Sequence, residues 1–293
     1  MSECLIGLPE PPPEGSTALA PGTFDGHVVV VTGGGTGIGK SIAVEFSRLG
    51  AALVLMSRSE EHLAAGARAV ESSGANVLTV VCDIRHAEQI SAAFDAAESA
   101  LGPPSVLVNN AAANFPVAAE DLSPNGWRTV VDITLNGTYL CCREFARRHI
   151  DARTPGSIIN LCASYAWTGG PGFAHSAAAK AGVVNLVETL AVEWGPYGIQ
   201  VNGIAPGLFP HTDMTSDIRS NLDKSAQLED RQPALRTGRL RELGWAATFL
   251  ASPYGRFITG HTLVVDGANH LRRTLTMAPV QTVKAQMHEG EEH

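Results

Sequence analysis

The sequence lacks long apolar runs and has no excess of basic residues. No stretch reaches the roughly 18 uninterrupted apolar residues that a membrane span needs, and no basic segment followed by an apolar one opens the chain. We therefore expect neither a membrane span nor a secretory signal. The chain has 21 lysines and arginines against 29 aspartates and glutamates. The resulting net charge of −8 argues against nucleic acid and anionic membranes as main partners.

Cysteine and clustered metal ligands are also scarce. The five cysteines are Cys4, Cys82, Cys141, Cys142 and Cys162. Because their number is odd and most fall in or beside predicted strands and helices, we interpret them as reduced thiols of a cytoplasmic protein. The histidines are scattered, with no pair at helical or hairpin spacing, so we predict no metal site.

Glycine is abundant by contrast, and one dense cluster follows a run of valines. From Gly26 to Gly39 the chain reads Gly-His-Val-Val-Val-Val-Thr-Gly-Gly-Gly-Thr-Gly-Ile-Gly. The valines are β-branched and apolar on both faces, which is typical of a buried parallel strand. Gly33 and Gly37 let the backbone turn beside a ligand, and Gly39 lets the next helix, at 38–49, lie close to the sheet. The N-terminus of such a helix attracts a pyrophosphate.

The alternation of strand and helix continues along the chain. Further strands are predicted at 52–56, 77–81, 105–108, 156–161, 199–204 and 262–266, and helices at 60–72, 87–101, 124–149, 174–194 and 241–252. This alternation requires right-handed crossovers and a covered parallel sheet. We predict an α/β, doubly wound Rossmann fold: a single seven-stranded parallel sheet with helices on both faces, at residues 25–270. A proline-rich arm, extended or disordered, precedes it at 1–24, and a polar tail follows at 271–293.

The glycine spacing resembles that of a known enzyme family. Thr32-Gly33-x-x-x-Gly37-x-Gly39 differs from G-x-G-x-x-G and resembles the loop of the short-chain dehydrogenase/reductases. The resemblance extends over about residues 25–270 and implies a nicotinamide cofactor. The cofactor contacts that it implies are Thr32, Gly33, Gly35, Thr36, Gly37, Ile38, Gly39, Ser57, Arg58, Asp83, Ile84, Asn110, Ala111, Ala112, Lys180, Pro206, Gly207 and Thr212.

The end of the second strand indicates which cofactor binds. Enzymes selective for NAD place an acidic residue there, whose carboxylate bonds the ribose hydroxyls and repels a 2′-phosphate. Here the strand ends in Ser57-Arg58-Ser59. A guanidinium pairs with a phosphate, so we predict NADPH, with a solvated surface arginine as the alternative. Asp83 resembles the family residue that meets the adenine amine; its alternative is a helix cap for the segment after Ile84.

The usual catalytic tyrosine of the family is missing. Typical members carry Tyr-x-x-x-Lys, in which the ammonium lowers the tyrosine pKa and the phenol protonates a carbonyl oxygen. This chain has Ser176-Ala-Ala-Ala-Lys180, and a serine hydroxyl cannot act as that acid at neutral pH. The serine usually thirteen residues earlier is Ala163, and the usual active-site asparagine aligns with Thr134. Lys180 keeps its implied role of bonding the nicotinamide ribose.

A second tyrosine points to one branch of the family. Ser-x-x-x-Lys with Tyr165 fifteen residues before Lys180 resembles the mitochondrial-type 2,4-dienoyl-CoA reductases. So does Asn109-Asn110-Ala111-Ala112-Ala113-Asn114-Phe115, whose asparagine before the phenylalanine lies in the active site of that branch. The resemblance implies that Tyr165 and Asn114 stabilise a developing oxyanion, with Lys180 and Ser176 completing the catalytic set. A core tyrosine and a turn asparagine are the alternatives.

The implied function is NADPH-dependent reduction of conjugated acyl-CoA thioesters. Alternatives are a trans-2-enoyl-CoA reductase, a carbonyl (3-oxoacyl) reductase with a displaced acid, and a non-catalytic NADPH-binding scaffold. Retention of Lys180, Pro206-Gly207 and Thr212 argues against the scaffold, which needs little around the nicotinamide ring. Residues 208–235 are expected to form a substrate lid. The candidates for binding the CoA diphosphate are Arg236, Arg239 and Arg241.

Two helices suggest self-association. The apolar stripe of helix 124–149 and the apolar face of helix 174–194 exceed what one sheet face can cover. On the second helix that face consists of Val183, Leu186, Val187 and Leu190. We therefore expect a homotetramer with two-fold axes.

Overall fold

Seven parallel strands form a single sheet at the centre of the molecule. The computed structural model describes residues 6–210, 229–230, 232–272 and 282–284. The strands are β1 Val28–Thr32, β2 Ala52–Ser57, β3 Val77–Val81, β4 Val106–Asn109, β5 Gly156–Leu161, β6 Ile199–Pro206 and β7 Thr262–Val265. Their order is β3-β2-β1-β4-β5-β6-β7, and every neighbouring pair is parallel. The predicted fold is confirmed.

Helices cover both faces of this sheet. Among the described residues they are α1 Gly37–Arg48, α2 Glu60–Glu71, α3 Ala87–Leu101, α4 Pro124–Val131, α5 Gly137–Ala152, α6 Tyr165–Thr168, α7 Ala174–Trp194 and α8 Leu240–Ala251. On one face, α3, α5 and α7 bury residues such as Phe145 and Val187. On the other, α1, α2 and α8 bury residues such as Phe46 and Leu243. Both faces are covered, so the strands are apolar on both sides, as the valines of β1 indicate.

The order of the strands creates a crevice at one edge of the sheet. After β1 the chain builds outward through β2 and β3, then returns to place β4 on the other side of β1. Thr32 and Asn109, the last residues of β1 and β4, lie side by side in register. In open α/β sheets ligands bind in the crevice outside the carboxyl ends of the strands at such a reversal.

The predicted helix at 124–149 is interrupted. Between α4 and α5, residues Asp132–Asn136 form a π-helical turn, and α5 then continues to Ala152. Such turns place one extra residue in a helical ladder and often lie at functional sites. Here the turn contains Thr134, whose Oγ1 accepts the Ala113 N–H at 3.2 Å. The interruption therefore joins the helix to the loop after β4, a long-range contact that apolar periodicity cannot reveal.

The described part of the N-terminal arm contains turns and is anchored to the rest of the molecule by a few contacts. Leu8 N–H donates to the Ala234 carbonyl at 2.9 Å, and the Trp245 indole N–H donates to the Ser16 carbonyl at 3.1 Å. Phe24 is buried and meets Phe46 edge-on, with ring centroids 4.9 Å apart. Residues 6–24 are thus ordered against the Rossmann domain, which the prolines alone did not indicate.

The apolar face invoked for self-association is covered within one subunit. Val183, Val187 and Leu190 belong to the buried core, and Leu186 packs against it. The expectation that this face exceeds the cover of one sheet is therefore wrong, because α7 lies directly on the sheet along this side. A case for assembly needs other residues.

Two kinds of feature do not occur in the described part of the chain. No helix among those residues is long and apolar enough to cross a membrane. No group of three or more histidine, cysteine or acidic side chains lies close enough there to hold a metal ion.

Candidate active site

The predicted cofactor contacts gather at the carboxyl edge of the sheet. The glycine loop follows β1, Ser57 ends β2 and Arg58 follows it, and Pro206 ends β6. The remaining contacts follow β3, β4 and β6 (Asp83, Ile84, Asn110, Ala111, Ala112 and Gly207), while Lys180 lies on α7. Because all strands are parallel, these segments share one edge of the sheet. Thr212 lies outside the described residues.

The glycine loop is shaped by positions that tolerate no side chain. Gly33 and Gly37 have φ angles of 63° and 49°, in the left-handed region that favours glycine. A Cβ on Gly35 would clash with the backbone of His62, and one on Gly39 with the carbonyl of Gly33. Glycine at these positions therefore lets the loop pack closely against the start of α2 and lets the first turn of α1 pack against the loop itself.

Thr32 and Asn110 join the loops that follow β1 and β4. Thr32 Oγ1 accepts the N–H groups of Asn110 and Ala111 at 3.0 and 3.1 Å. Asn110 Nδ2 donates to the carbonyls of Thr32 and Gly33, each at 3.1 Å. Both side chains therefore hold together the two loops that line the crevice.

The end of β2 presents a cation, Arg58, with the carboxylate of Asp83 near enough to interact with it electrostatically. Arg58 is exposed, while Ser59 Oγ accepts the His62 N–H and caps α2. Asp83 does not cap a helix, because α3 begins at Ala87 after His86. Its carboxylate instead accepts hydrogen bonds from Arg85, which hold the pKa of Asp83 at about 2.

Tyr165 and Ser176 meet although eleven residues separate them. Tyr165 begins α6, Ser176 lies in the first turn of α7, and their hydroxyl oxygens are 3.0 Å apart. The Tyr165 ring lies nearly parallel to Phe173, with an interplanar angle of 7°. Burial raises the pKa of the Tyr165 phenol, against a smaller opposing effect of Ser176. The phenol is therefore protonated at neutral pH and can donate a hydrogen bond.

Lys180 follows Ser176 by one helical turn. Its side chain is buried, and Nζ donates to the carbonyl of Leu161, the last residue of β5. Burial lowers the pKa of Lys180, because the charged form loses hydration. The lysine thus reaches from α7 to the carboxyl edge of the sheet.

Asn114 lies in a loop that contacts the start of α7. The next residue, Phe115, meets the ring of His175 edge-to-face at 4.5 Å, and Val117 N–H donates to the Gly172 carbonyl at 2.9 Å. Asn114 Oδ1 is buried and has no hydrogen-bond partner among the residues described. The oxygen of the Asn114 amide therefore does not close the turn.

The two other family positions provide no proton relay. Ala163 is buried and has no hydroxyl. Thr134, at the usual asparagine position, uses its Oγ1 to accept the Ala113 N–H. Of the predicted catalytic positions, Tyr165, Ser176, Lys180 and Asn114 carry polar side chains in this part of the molecule.

The three arginines named for a CoA diphosphate contact protein groups instead. Arg236 pairs with Glu242 at 2.8 Å and donates to the Pro9 carbonyl at 3.0 Å. Arg239 pairs with Glu10, and Arg241 Nε donates to the Pro12 carbonyl at 2.8 Å. They anchor the N-terminal arm, so the expectation of a diphosphate clamp is not supported. The sequence did not reveal this, because more than 200 residues separate the partners.

A cavity of about 300 Å³ lies beyond the ends of β6 and β7. Phe209, Val265 and Asp266 contribute to its walls, and the arm adds Leu8. Gly207 is adjacent, with its N–H donating to the Val265 carbonyl at 2.9 Å. The space thus opens beside the segment assigned to the nicotinamide pocket.

Comparison with known proteins agrees with this arrangement. A family model described as "Enoyl-(Acyl carrier protein) reductase" matches residues 33–270. A probable 2,4-dienoyl-CoA reductase [(2E)-enoyl-CoA-producing] of Bacillus subtilis (strain 168) is 38% identical over 244 residues, covering 83% of this chain and 96% of that protein.

Solved structures extend the comparison. A short chain dehydrogenase from Bacillus anthracis str. 'Ames Ancestor' is 39% identical with a TM-score of 0.77, covering 85% of this chain and 98% of that one. A gluconate 5-dehydrogenase from Burkholderia cenocepacia J2315, in complex with NADP and tartrate, is 35% identical with a TM-score of 0.78, covering 85% and 97%. The chain therefore belongs to the short-chain dehydrogenase/reductase family of oxidoreductases.

Proposed function

We propose that the protein is an NADPH-dependent reductase of conjugated acyl-CoA thioesters, of the 2,4-dienoyl-CoA reductase type. The observation that carries this is the Tyr165–Ser176 pair, a buried, protonated phenol 3.0 Å from the position that usually holds the catalytic tyrosine. A neutral donor of this kind suits an oxyanion that needs hydrogen bonds. The similarity to a probable 2,4-dienoyl-CoA reductase supports the same reaction class.

NADPH fits the residues of the crevice. The glycine loop connects β1 to the N-terminus of α1, where a pyrophosphate would bind, and the exposed Arg58 offers a guanidinium to a 2′-phosphate. Lys180 would bond the nicotinamide ribose, and Pro206 and Gly207 would border the ring. When bound, NADPH supplies the hydride that the reduction consumes. The NADP complex of the similar gluconate 5-dehydrogenase supports this choice.

The protein side chains act on the charge that the reduction creates. Reduction at the remote carbon of the conjugated system moves an electron pair onto the thioester oxygen, giving an enolate or dienolate. Tyr165 O–H and the Asn114 amide are the proposed donors to that oxygen. Ser176 holds the phenol in place, and Lys180 adds positive potential. A proton delivered to carbon then completes the enoyl-CoA product.

A carbonyl reductase with a displaced acid is the second candidate. The Tyr165 hydroxyl lies 3.0 Å from that of Ser176, the residue at the family's tyrosine position, so the phenol could protonate a carbonyl oxygen bound beside it. The similarity to a gluconate 5-dehydrogenase favours including this reaction. A trans-2-enoyl-CoA reductase and a non-catalytic scaffold are the remaining alternatives.

One assay separates these functions. Purified protein and NADPH are incubated with hexadienoyl-CoA, hexenoyl-CoA or acetoacetyl-CoA while absorbance at the nicotinamide band is followed; a parallel reaction contains NADP⁺ and gluconate. We expect oxidation of NADPH with hexadienoyl-CoA. Turnover of acetoacetyl-CoA or gluconate alone would instead establish the carbonyl reductase, and turnover of hexenoyl-CoA alone the enoyl reductase. No reaction with any of them would favour the scaffold.

We also propose that the protein is a homotetramer. Large apolar side chains remain exposed on several helices of the subunit, including Tyr139 on α5, Val192 on α7 and Phe249 on α8. Phe257, after α8, is fully exposed. Large apolar side chains left exposed on a subunit are candidates for burial between copies. Sedimentation at micromolar concentration tests this, and a monomer would contradict it.

A further inference from the structure

A buried histidine stands directly before Ser176 and has no part in the proposed chemistry. His175 is 0% exposed, and its Nδ1 accepts the Ser176 N–H at 2.8 Å. That bond assigns the ring proton to Nε2. Burial lowers the pKa of His175, so the ring is neutral and Nδ1 keeps the lone pair that it needs as an acceptor.

The hydrogen bond to His175 satisfies a backbone N–H group near the start of α7. The N–H groups in the first turn of a helix have no carbonyl acceptor within the helix. In α7 the N-cap residue is Phe173, which has no polar side chain to accept one of them. His175 supplies the missing acceptor for Ser176 from within the same turn. The imidazole therefore fixes the backbone of the residue whose hydroxyl meets Tyr165.

The other ring nitrogen of His175 lies in an unfavourable environment. Nε2 is buried and has no hydrogen-bond partner in the part of the chain that the structure describes. An apolar side chain at position 175 would leave no such donor buried without a partner. Phe115 also holds the ring edge-to-face, which links it to the loop of Asn114. The histidine thus contacts both the loop of Asn114 and Ser176, the hydrogen-bond partner of Tyr165.

We propose that His175 is a positioning residue for the Tyr165–Ser176 pair. By accepting the Ser176 N–H, it holds Ser176 Oγ at hydrogen-bond distance from the phenol. The inference rests on the proposed role of Tyr165 in catalysis, but its structural part can be tested without a substrate.

The substrate-free test uses fluorine NMR of protein labelled with 3-fluorotyrosine. The Tyr165 resonance is assigned by its loss in Tyr165→Phe, and Ser176→Ala gives its position without the serine bond. We expect His175→Leu to move the resonance toward the Ser176→Ala position. His175→Asn should leave it near the wild-type position, because the amide oxygen can replace Nδ1 as acceptor. An unmoved resonance in a folded His175→Leu protein would overturn the proposal.

The kinetic test asks whether His175 acts through Ser176. On hexadienoyl-CoA we expect His175→Leu to lower kcat about 5- to 10-fold, the effect of one hydrogen bond, with little change in KM for NADPH. His175→Asn should restore most of the rate. In a Ser176→Ala background the leucine substitution should have no further effect. Additive losses would show that the histidine acts elsewhere, which refutes the positioning role.

The two tests fail separately. A wild-type protein inactive on every thioester would refute the proposed function, while the fluorine shifts still decide whether His175 positions the pair. If His175→Leu does not fold, the asparagine variant decides: a Tyr165 resonance at the Ser176→Ala position despite the new acceptor would contradict the proposal.

Discussion

Replacing Tyr165 by phenylalanine tests the central assignment. The substitution removes the phenol hydroxyl and leaves the ring stacked against Phe173. If that hydroxyl holds the enolate oxygen, its loss should cut kcat about 100-fold or more, since one oxyanion donor contributes about 3 kcal/mol to transition-state stabilisation. Binding of NADPH should be nearly unchanged.

Ser176→Ala is the matched control. It removes the other end of the same 3.0 Å hydrogen bond and leaves the phenol in place. Each variant should therefore lower the free energy of unfolding by a similar amount, about 1 kcal/mol. Only Tyr165→Phe should also abolish the oxyanion donor. A purely structural role for Tyr165 predicts equal effects on kcat, whereas a catalytic role separates the two variants.

The decisive measurement is single-turnover hydride transfer on the same dienoyl-CoA with both variants. It isolates the chemical step from product release. Thermal unfolding of each variant provides the stability comparison. A dead serine variant together with a phenylalanine variant of wild-type rate would refute the site assignment even if the reaction class is right.

Three further predictions concern cofactor binding, the stability of the fold at acid pH and the N-terminal arm. Arg58→Ala should weaken NADPH binding by about 1.5–3 kcal/mol and spare NADH, whereas Arg68→Ala, an exposed control on α2, should change neither; equal losses for both cofactors in a titration would contradict phosphate recognition. The Asp83 pKa of about 2 lies below its ordinary value near 4, so Asp83 stabilises the fold above about pH 4 and this contribution is lost as pH falls toward 2. Urea unfolding of Asp83→Asn should lack that part of the pH dependence, and a profile identical to wild type would disprove it. Deleting residues 1–19 should lower the free energy of unfolding by about 1–3 kcal/mol, because several arm hydrogen bonds are lost; an unchanged urea midpoint would show that the arm contributes nothing.

Local pattern predicted the fold well because each element carries its own periodicity. The valines of β1 and the apolar spacing of α3 need no distant partner to be recognised, and their boundaries match the structure. The π-turn at 132–136 was not predicted, because apolar periodicity does not distinguish it from a continuous α-helix, and the bond from Ala113 to Thr134 within it is a long-range contact. The packed arm escaped prediction for the same reason: its anchors lie more than 200 residues away.

Only those parts of the candidate site that lie in sequence motifs could be predicted. The glycine spacing and the Ser-x-x-x-Lys pattern identified the crevice and the two residues on α7. The role of His175 could not be predicted, because a buried histidine at a helix start has no sequence signature and its acceptor function requires the backbone geometry of Ser176. Arg236, named for CoA binding, pairs instead with Glu242 only six residues away.

Although position 176 holds a serine, the candidate site still contains a phenol. The hydroxyl of Tyr165, on α6, lies 3.0 Å from the hydroxyl of Ser176, which occupies the family's tyrosine position. The element that carries the phenol has changed, and its orientation now depends on Phe173 and Ser176. Its pKa is raised by burial, whereas the usual acid needs a pKa lowered by the lysine. Such a phenol is a poor proton donor but a good neutral hydrogen-bond donor, which favours stabilising an enolate over protonating a carbonyl.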